Sequence, residues 1–302
     1  MTKRIIVALF LISASAGAQS LQERLGFSKD ARLLIVHADD LGMAHTINAA
    51  SIRALETGLV NSASIMVPCP WFPAIAEYAR NHPRADLGLH LTLTSEWTSF
   101  RWGPVTPETH VRTLLDRDGY LYLTESEAAK RIDPAEAERE IRAQIARARA
   151  AGIVPTHLDS HMGTLYQTKE LFEALMRVAR EERLPARVSR AHARVPFVAE
   201  TLKPDDIVID QIVSIGSDIP AEQWESWYED AIRNLKPGVS EVIIHLAYDD
   251  GEMKAAAVNH PHWGSEWRQR DFDYFTSERF RTLLRDEGIQ LVTWRELARL
   301  LK

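Results

Sequence analysis

Short runs of β-branched and other apolar residues alternate along this chain with segments of helical period, and that alternation constrains the fold more than any other feature. Residues 32–37, 60–67, 86–92, 153–157, 187–189, 206–213, 241–246 and 289–293 read as strands. Residues 46–57, 72–81, 169–182, 221–235 and 277–287 read as helices. The clearest helix has Asp133 as its cap, Pro134 in its first turn, Ile141 and Ile145 on one face, and Gly152 as its stop. Repeated β-then-α units build a parallel sheet whose faces are covered by helices. About seven or eight units without a glycine-rich nucleotide fingerprint favour an irregular, TIM-like (β/α) barrel over a doubly wound sheet. Residues 94–124 and 247–274 break the alternation and read as long loops, which usually carry function. No repeat or linker demands a second domain, so residues 19–302 read as one.

Residues 1–18 stand apart from this pattern. Lys3 and Arg4 form a basic start, residues 5–12 an apolar run, and Ala16-Gly17-Ala18 a small-residue cleavage site before Gln19. The expectation is an exported chain, periplasmic or secreted, with retention of the segment as an anchor as the alternative. Losing Lys3 and Arg4 takes the formal charge from -6 to -8, which argues against a nucleic-acid surface. Cys69 is the single cysteine, so no intramolecular disulfide holds the fold and stability must come from the core.

The apolar run from Leu33 to Val36 ends in His37 and then in two adjacent carboxylates, Asp39 and Asp40. A desolvated carboxylate needs a metal, a proton or a cation beside it, so the pair points to function. His90, His157, Asp159, His161 and His245 also fall where predicted strands finish. The active site of a parallel barrel lies at those carboxyl ends, and Asp with His and His suits an open metal site. If extended, His157, Asp159 and His161 point one way. His37 reads either as a ligand or as a neutral strand histidine. Trp97, Trp102 and Trp263 read either as stacking platforms for sugar faces or as core. Asp249, Asp250 and Glu252 either orient His245 or face water.

At these positions the chain resembles a known family. The matching pieces are residues 37–42 (HADDLG), 58–67 (GLVNSASIMV), 88–94 (GLHLTLT), 155–161 (PTHLDSH) and 242–245 (VIIH), in order over about residues 30–295. They resemble the YdjC-like carbohydrate deacetylases, the group containing chitooligosaccharide deacetylase. The resemblance implies that Asp40, His90 and His161 bind one divalent metal, Zn, Mg, Mn or Co, with Asp39 as catalytic base and His245 as candidate acid. His37, His157, Asp159, Trp97 and Trp263 are left as candidates for supporting the site or touching substrate. The implied reaction is metal-dependent hydrolysis of an N-acetyl group on an amino sugar or short oligosaccharide. Rival readings are an esterase or other amidohydrolase on the same barrel, and a non-catalytic sugar binder. The family usually has Asn where this chain has His37, and often a further His at Gly163, which points to a different subgroup. The expected partner is an acetylated sugar, with no nucleic acid and no membrane span after cleavage; oligomeric state stays open, a homodimer among the options.

Overall fold

The computed structural model describes residues 19–260 and 262–301. The expected leader, residues 1–18, lies outside the described residues. No helix among the described residues is long and apolar enough to cross a membrane.

The sheet consists of parallel strands β1 (Arg32–Leu41), β2 (Ser62–Ile65), β3 (Leu87–Leu91), β4 (Leu158–Ser160), β5 (Gln211–Ser214), β6 (Gly238–His245) and β7 (Gln290–Leu291). Their order is β4-β3-β2-β1-β6-β5, and β7 lies against the start of β1. Single bridges from Leu158 to Ala186 and from Ser189 to Ile209 connect β4 to the residues leading into β5. The ring closes through residues 186–189, and the chain is one irregular (β/α) barrel.

Local chemistry explains most of the elements. Helix Pro134–Ala150 starts where Asp133 accepts the amides of Ala135 and Glu136, two donors the helix leaves unpaired. Helix Lys169–Glu182 buries Leu171, Phe172, Leu175, Val178 and Ala179 along one stripe. The sequence expectations fail in four places, the first being the strand expected at 206–213, which forms only at 211–214. The strand expected at 153–157 forms later, as Leu158–Ser160, because Pro155 has no amide to give a ladder. Residues 187–189 hold one isolated bridge, at Ser189, in place of a full strand. Residues 247–274 are largely helical, with Gly251–Ala256 and Ser265–Phe275, although Arg268, Gln269, Arg270, Asp271 and Asp273 interrupt any apolar stripe.

The strand period sorts the barrel into layers. Leu34, Val36 and Ala38 of β1 pack in the main core under the helices. Leu33 and Ile35 face the other way, into a smaller cluster with Ile209, Val239, Val292 and Trp294. His37 and Asp39 continue that inner face, so the interior is apolar at its base and polar above. At mid-height the His157 ring stacks on Trp294 with centroids 5.2 Å apart, directly against Gly88 of β3. A Cβ at Gly88 would collide with that imidazole. Gly88→Ala is therefore expected to lower unfolding free energy by about 1–3 kcal/mol in a urea titration; an unchanged midpoint would show that the interior yields more easily than its packing implies.

Candidate active site

Consecutive residues of a strand point to opposite faces, so Asp39 and Asp40 should not share a site. Two local features overcome this. Asp40 takes φ +72°, and the pairing of β1 with β2 slips between Ala38 and Leu41. The following turn is held where the Gly42 amide donates to Asn48 Oδ1 at 2.6 Å. Both carboxylates therefore reach one opening.

Asp40 Oδ1 lies 3.4 Å from His90 Nε2 and 3.5 Å from His161 Nδ1. The far nitrogen of each imidazole is already engaged: His90 Nδ1 meets Asp159 Oδ1 at 2.7 Å, and His161 Nε2 meets Glu96 Oε2 at 2.8 Å. Arg268 Nη2 donates to Asp40 Oδ2 at 2.7 Å, whereas the buried Oδ1 has no hydrogen-bond partner. One orphaned oxygen and two inward nitrogens form a compact three-donor set of the kind that holds a divalent cation. Electrostatics agree with this fit. Burial opposes charge on the two imidazoles, yet the carboxylates win: Asp39 and Asp159 raise His90 well above its usual range, and Glu96 and Asp40 raise His161 to about 9. Burial also opposes charge on Asp40, but Arg268 and the two histidines hold it well below the carboxylate range. The cluster thus draws in positive charge, as protons or as a cation that replaces them.

Asp39 is anchored on one side only. Its Oδ1 accepts from Arg187 Nη1 at 3.1 Å and Ser64 Oγ at 3.4 Å, and lies 3.1 Å from His37 Nε2. Its Oδ2 faces His90 Nε2 at 3.7 Å and His245 Nε2 at 4.0 Å. Burial works against its charge, but Arg187, His90 and His37 keep it ionised below the usual range. His37 also bridges to Asp159 Oδ2 at 3.2 Å. Burial opposes its protonation, and its bonds to Asp159 and Asp39 overcome that, raising it to about 9. The carboxylates around it thus favour the charged form of His37 over the neutral one. His157 is the reverse: burial and the charge on His37 hold it neutral, packed edge-on against His37 at 5.0 Å. His157, Asp159 and His161 all turn inward but at different depths, and only His161 reaches Asp40.

His245 ends β6 with its side chain 18% exposed. Burial and Arg268 lower it to about 4 against the pull of Asp40 and Asp39, so it is unprotonated at neutral pH. Its backbone amide donates to Asp271 Oδ2 at 3.0 Å. The neighbouring acids do other work: Asp249 bonds Ser265 and Lys254, Asp250 caps a helix, and Glu252 accepts from the amides of His45 and Thr46.

These groups open into a cavity of about 550 Å³, walled in part by Trp97, Met162 and Trp263. His37, His157 and Asp159 lie beneath it. Trp97 and Trp102 are buried, the latter donating to the Thr94 carbonyl, while Trp263 at 38% exposure presents an open ring. Sequence reasoning missed Arg187, Arg268, Glu96 and Asp271. The one available signal was place: Glu96, Arg268 and Asp271 lie in the two stretches that broke the alternation.

Fold and site together define a parallel (β/α) barrel with a buried Asp-His-His cluster at its strand ends. The sequence pattern of the YdjC-like protein family matches residues 33–286. A carbohydrate deacetylase of Thermus thermophilus is 32% identical over 267 residues, covering 84% of this chain and 89% of that protein. One from Brevibacillus brevis is 29% identical over 270 residues, covering 87% and 99%. A crystal structure from Enterococcus faecalis V583, of a protein named for cellobiose-phosphate cleavage, superposes with a TM-score of 0.74 at 26% identity, covering 88% of this chain and 99% of that one. The chain belongs to the YdjC-like family.

Arg187 donates to Asp39 and lies 3.1 Å from Asp159 Oδ2, with its side chain only 7% exposed. Arg187→Met strands two buried carboxylates without their counter-charge. The expected cost is about 3–5 kcal/mol of unfolding free energy, read by denaturant titration; a loss below the error of the titration would mean that His37 alone suffices.

Proposed function

We propose that this chain is a carbohydrate deacetylase that uses one divalent cation to hydrolyse the acetyl amide of an amino sugar or short oligosaccharide. The observation that carries the reading is the orphaned Asp40 Oδ1 flanked by His90 Nε2 and His161 Nδ1, beside the free oxygen of Asp39. The deacetylase relatives support the substrate class. Held by those three donors, Zn, Co, Mn or Mg would supply a Lewis acid that polarises the acetyl carbonyl and acidifies water.

This chain's own residues handle the proton. With Asp39 Oδ1 committed to Arg187, His37 and Ser64, Oδ2 is the oxygen left to accept a proton from the attacking water. His245 Nε2 lies 4.0 Å from that oxygen and is empty at rest. It can receive the proton and give it to the departing nitrogen, which is a poor leaving group without one. Trp263 and Trp97 offer apolar walls to a sugar ring. The basic, apolar and small-residue pattern of residues 1–18 supports an exported enzyme beginning near Gln19.

Metal-replete protein incubated with N-acetylated and O-acetylated sugars is expected to release acetate from the N-acetyl compounds; release from O-acetyl sugars alone would make it an esterase, and none from either a binder. Asp39→Asn should keep the metal and lose about 10²–10⁴ in turnover. His245→Ala should lose a similar factor on the amide yet retain much of its activity on an aryl acetate, whose leaving group departs without a proton. Equal loss on both substrates would move His245 from proton donor to substrate positioning. Metal uptake supplies a further check. Protons on His161 and His90 compete with the cation, so affinity should rise with pH through about 9, where the His161 proton is lost; affinity independent of pH would remove both histidines from the ligand set.

A further inference from the structure

The two histidines beside Asp40 are steered by different parts of the molecule. Asp159, which engages His90, belongs to strand β4. Glu96, which engages His161 Nε2 at 2.8 Å, belongs to the irregular 94–124 stretch. That stretch is seated on the other long connection. His260 Nε2 donates to the Glu96 carbonyl at 2.9 Å, Asn259 Nδ2 donates to Thr98 Oγ1 at 3.2 Å, and the Trp97 and His260 rings lie 5.3 Å apart.

We propose that Glu96 is the positioning residue for His161, so that seating of the 94–124 stretch on Asn259 and His260 and the holding of a cation by Asp40, His90 and His161 form one coupled equilibrium. The inference rests on the metal reading above. A neutral imidazole has two tautomers, and only the one with its proton on Nε2 leaves a lone pair on Nδ1 toward Asp40. A carboxylate accepting from Nε2 selects that tautomer, fixes the ring and makes Nδ1 a better donor. Whatever holds Glu96 in place then strengthens the site. By linkage, a cation that holds His161 steadies the stretch carrying Glu96 by the same factor.

The test uses the full chain and zinc(II) alone, with affinity measured by competition against a chromophoric chelator for the parent, Glu96→Gln, Glu96→Ala and His260→Ala. Glu96→Ala is expected to bind about 10–100-fold more weakly. Glu96→Gln should keep most of the parent affinity, because its amide oxygen accepts the same hydrogen bond. His260→Ala should fall between them although it touches no ligand, and zinc should slow proteolysis within residues 94–124 in the parent more than in Glu96→Ala. Parent-like affinity in Glu96→Ala overturns the proposal, as does equal loss in the Gln and Ala variants, which would show charge alone at work. Parent-like affinity in His260→Ala removes the coupling. A raised KM with unaltered zinc affinity would make Glu96 a substrate contact instead. A parent that takes up no zinc, or any other divalent ion, is a different failure, that of the metal reading itself.

Discussion

Two carboxylates on successive residues, desolvated at the mouth of a barrel, repel one another and lose their hydration, a cost of several kcal/mol for each ion. This fold keeps both because each has its own buried guanidinium, Arg187 on Asp39 and Arg268 on Asp40. The pairing also decides which oxygens remain free. Arg187, with His37 and Ser64, occupies Oδ1 of Asp39, and Arg268 occupies Oδ2 of Asp40. The opposite oxygens are left facing the same cavity, one beside His245 and one between His90 and His161. Counter-charge here stabilises the acids and decides which oxygen of each stays free.

The barrel interior is graded to receive that arrangement. A strand places every second residue on one face, so β1 carries Leu33, Ile35, His37 and Asp39 in a single column. On its neighbour β6 the same column runs Val239, Glu241, Ile243 and His245, with Ile243 level with His37 as the apolar exception. Apolar contacts around Trp294 fill the base, and Trp294 Nε1 donates upward to Glu241 Oε1 at 2.8 Å. Above this, His37 ties Ser62, Ser64, Asp39 and Asp159 together. Stability is concentrated at one end of each column and chemistry at the other, as the direction of parallel strands dictates.

The legible part of the molecule was whatever local pattern determines. Helices 72–81 and 169–182 match their predicted bounds because their apolar stripes, with Pro73 in the first turn of one and the Thr168 cap of the other, lie within a few residues. Asp40, His90, His161 and His245 stood out because each falls near or just beyond the end of a predicted strand. Arg187 and Arg268 did not, since nothing within their own segments distinguishes a guanidinium aimed at a carboxylate 148 or 228 residues away from one in solvent. The left-handed turn at Asp40 was equally hidden. Adjacent acids in a sequence do not state that the backbone will rotate to bring both to one side; only the bulge against β2 reveals it.

The environments of Asp39 and His245 bear on how a proton moves. Asp39 is held ionised by Arg187, and His245 is held neutral by burial and by Arg268, so neither carries a proton at rest near pH 7. A scheme with a pre-charged acid would need the reverse environment for His245, with carboxylates outweighing the guanidinium nearby. Amide hydrolysis releases one proton from water and requires one at the leaving nitrogen, so the balance closes if the same proton travels from Asp39 Oδ2 to His245 Nε2 and on to the amine. In the proposed reaction, Asp39 would lose its charge on taking that proton, and the 4.0 Å step to His245 would relieve a protonated carboxyl that Arg187 disfavours. The guanidinium that makes Asp39 a weak base at rest would thus make it, under that proposal, a ready donor to the next group.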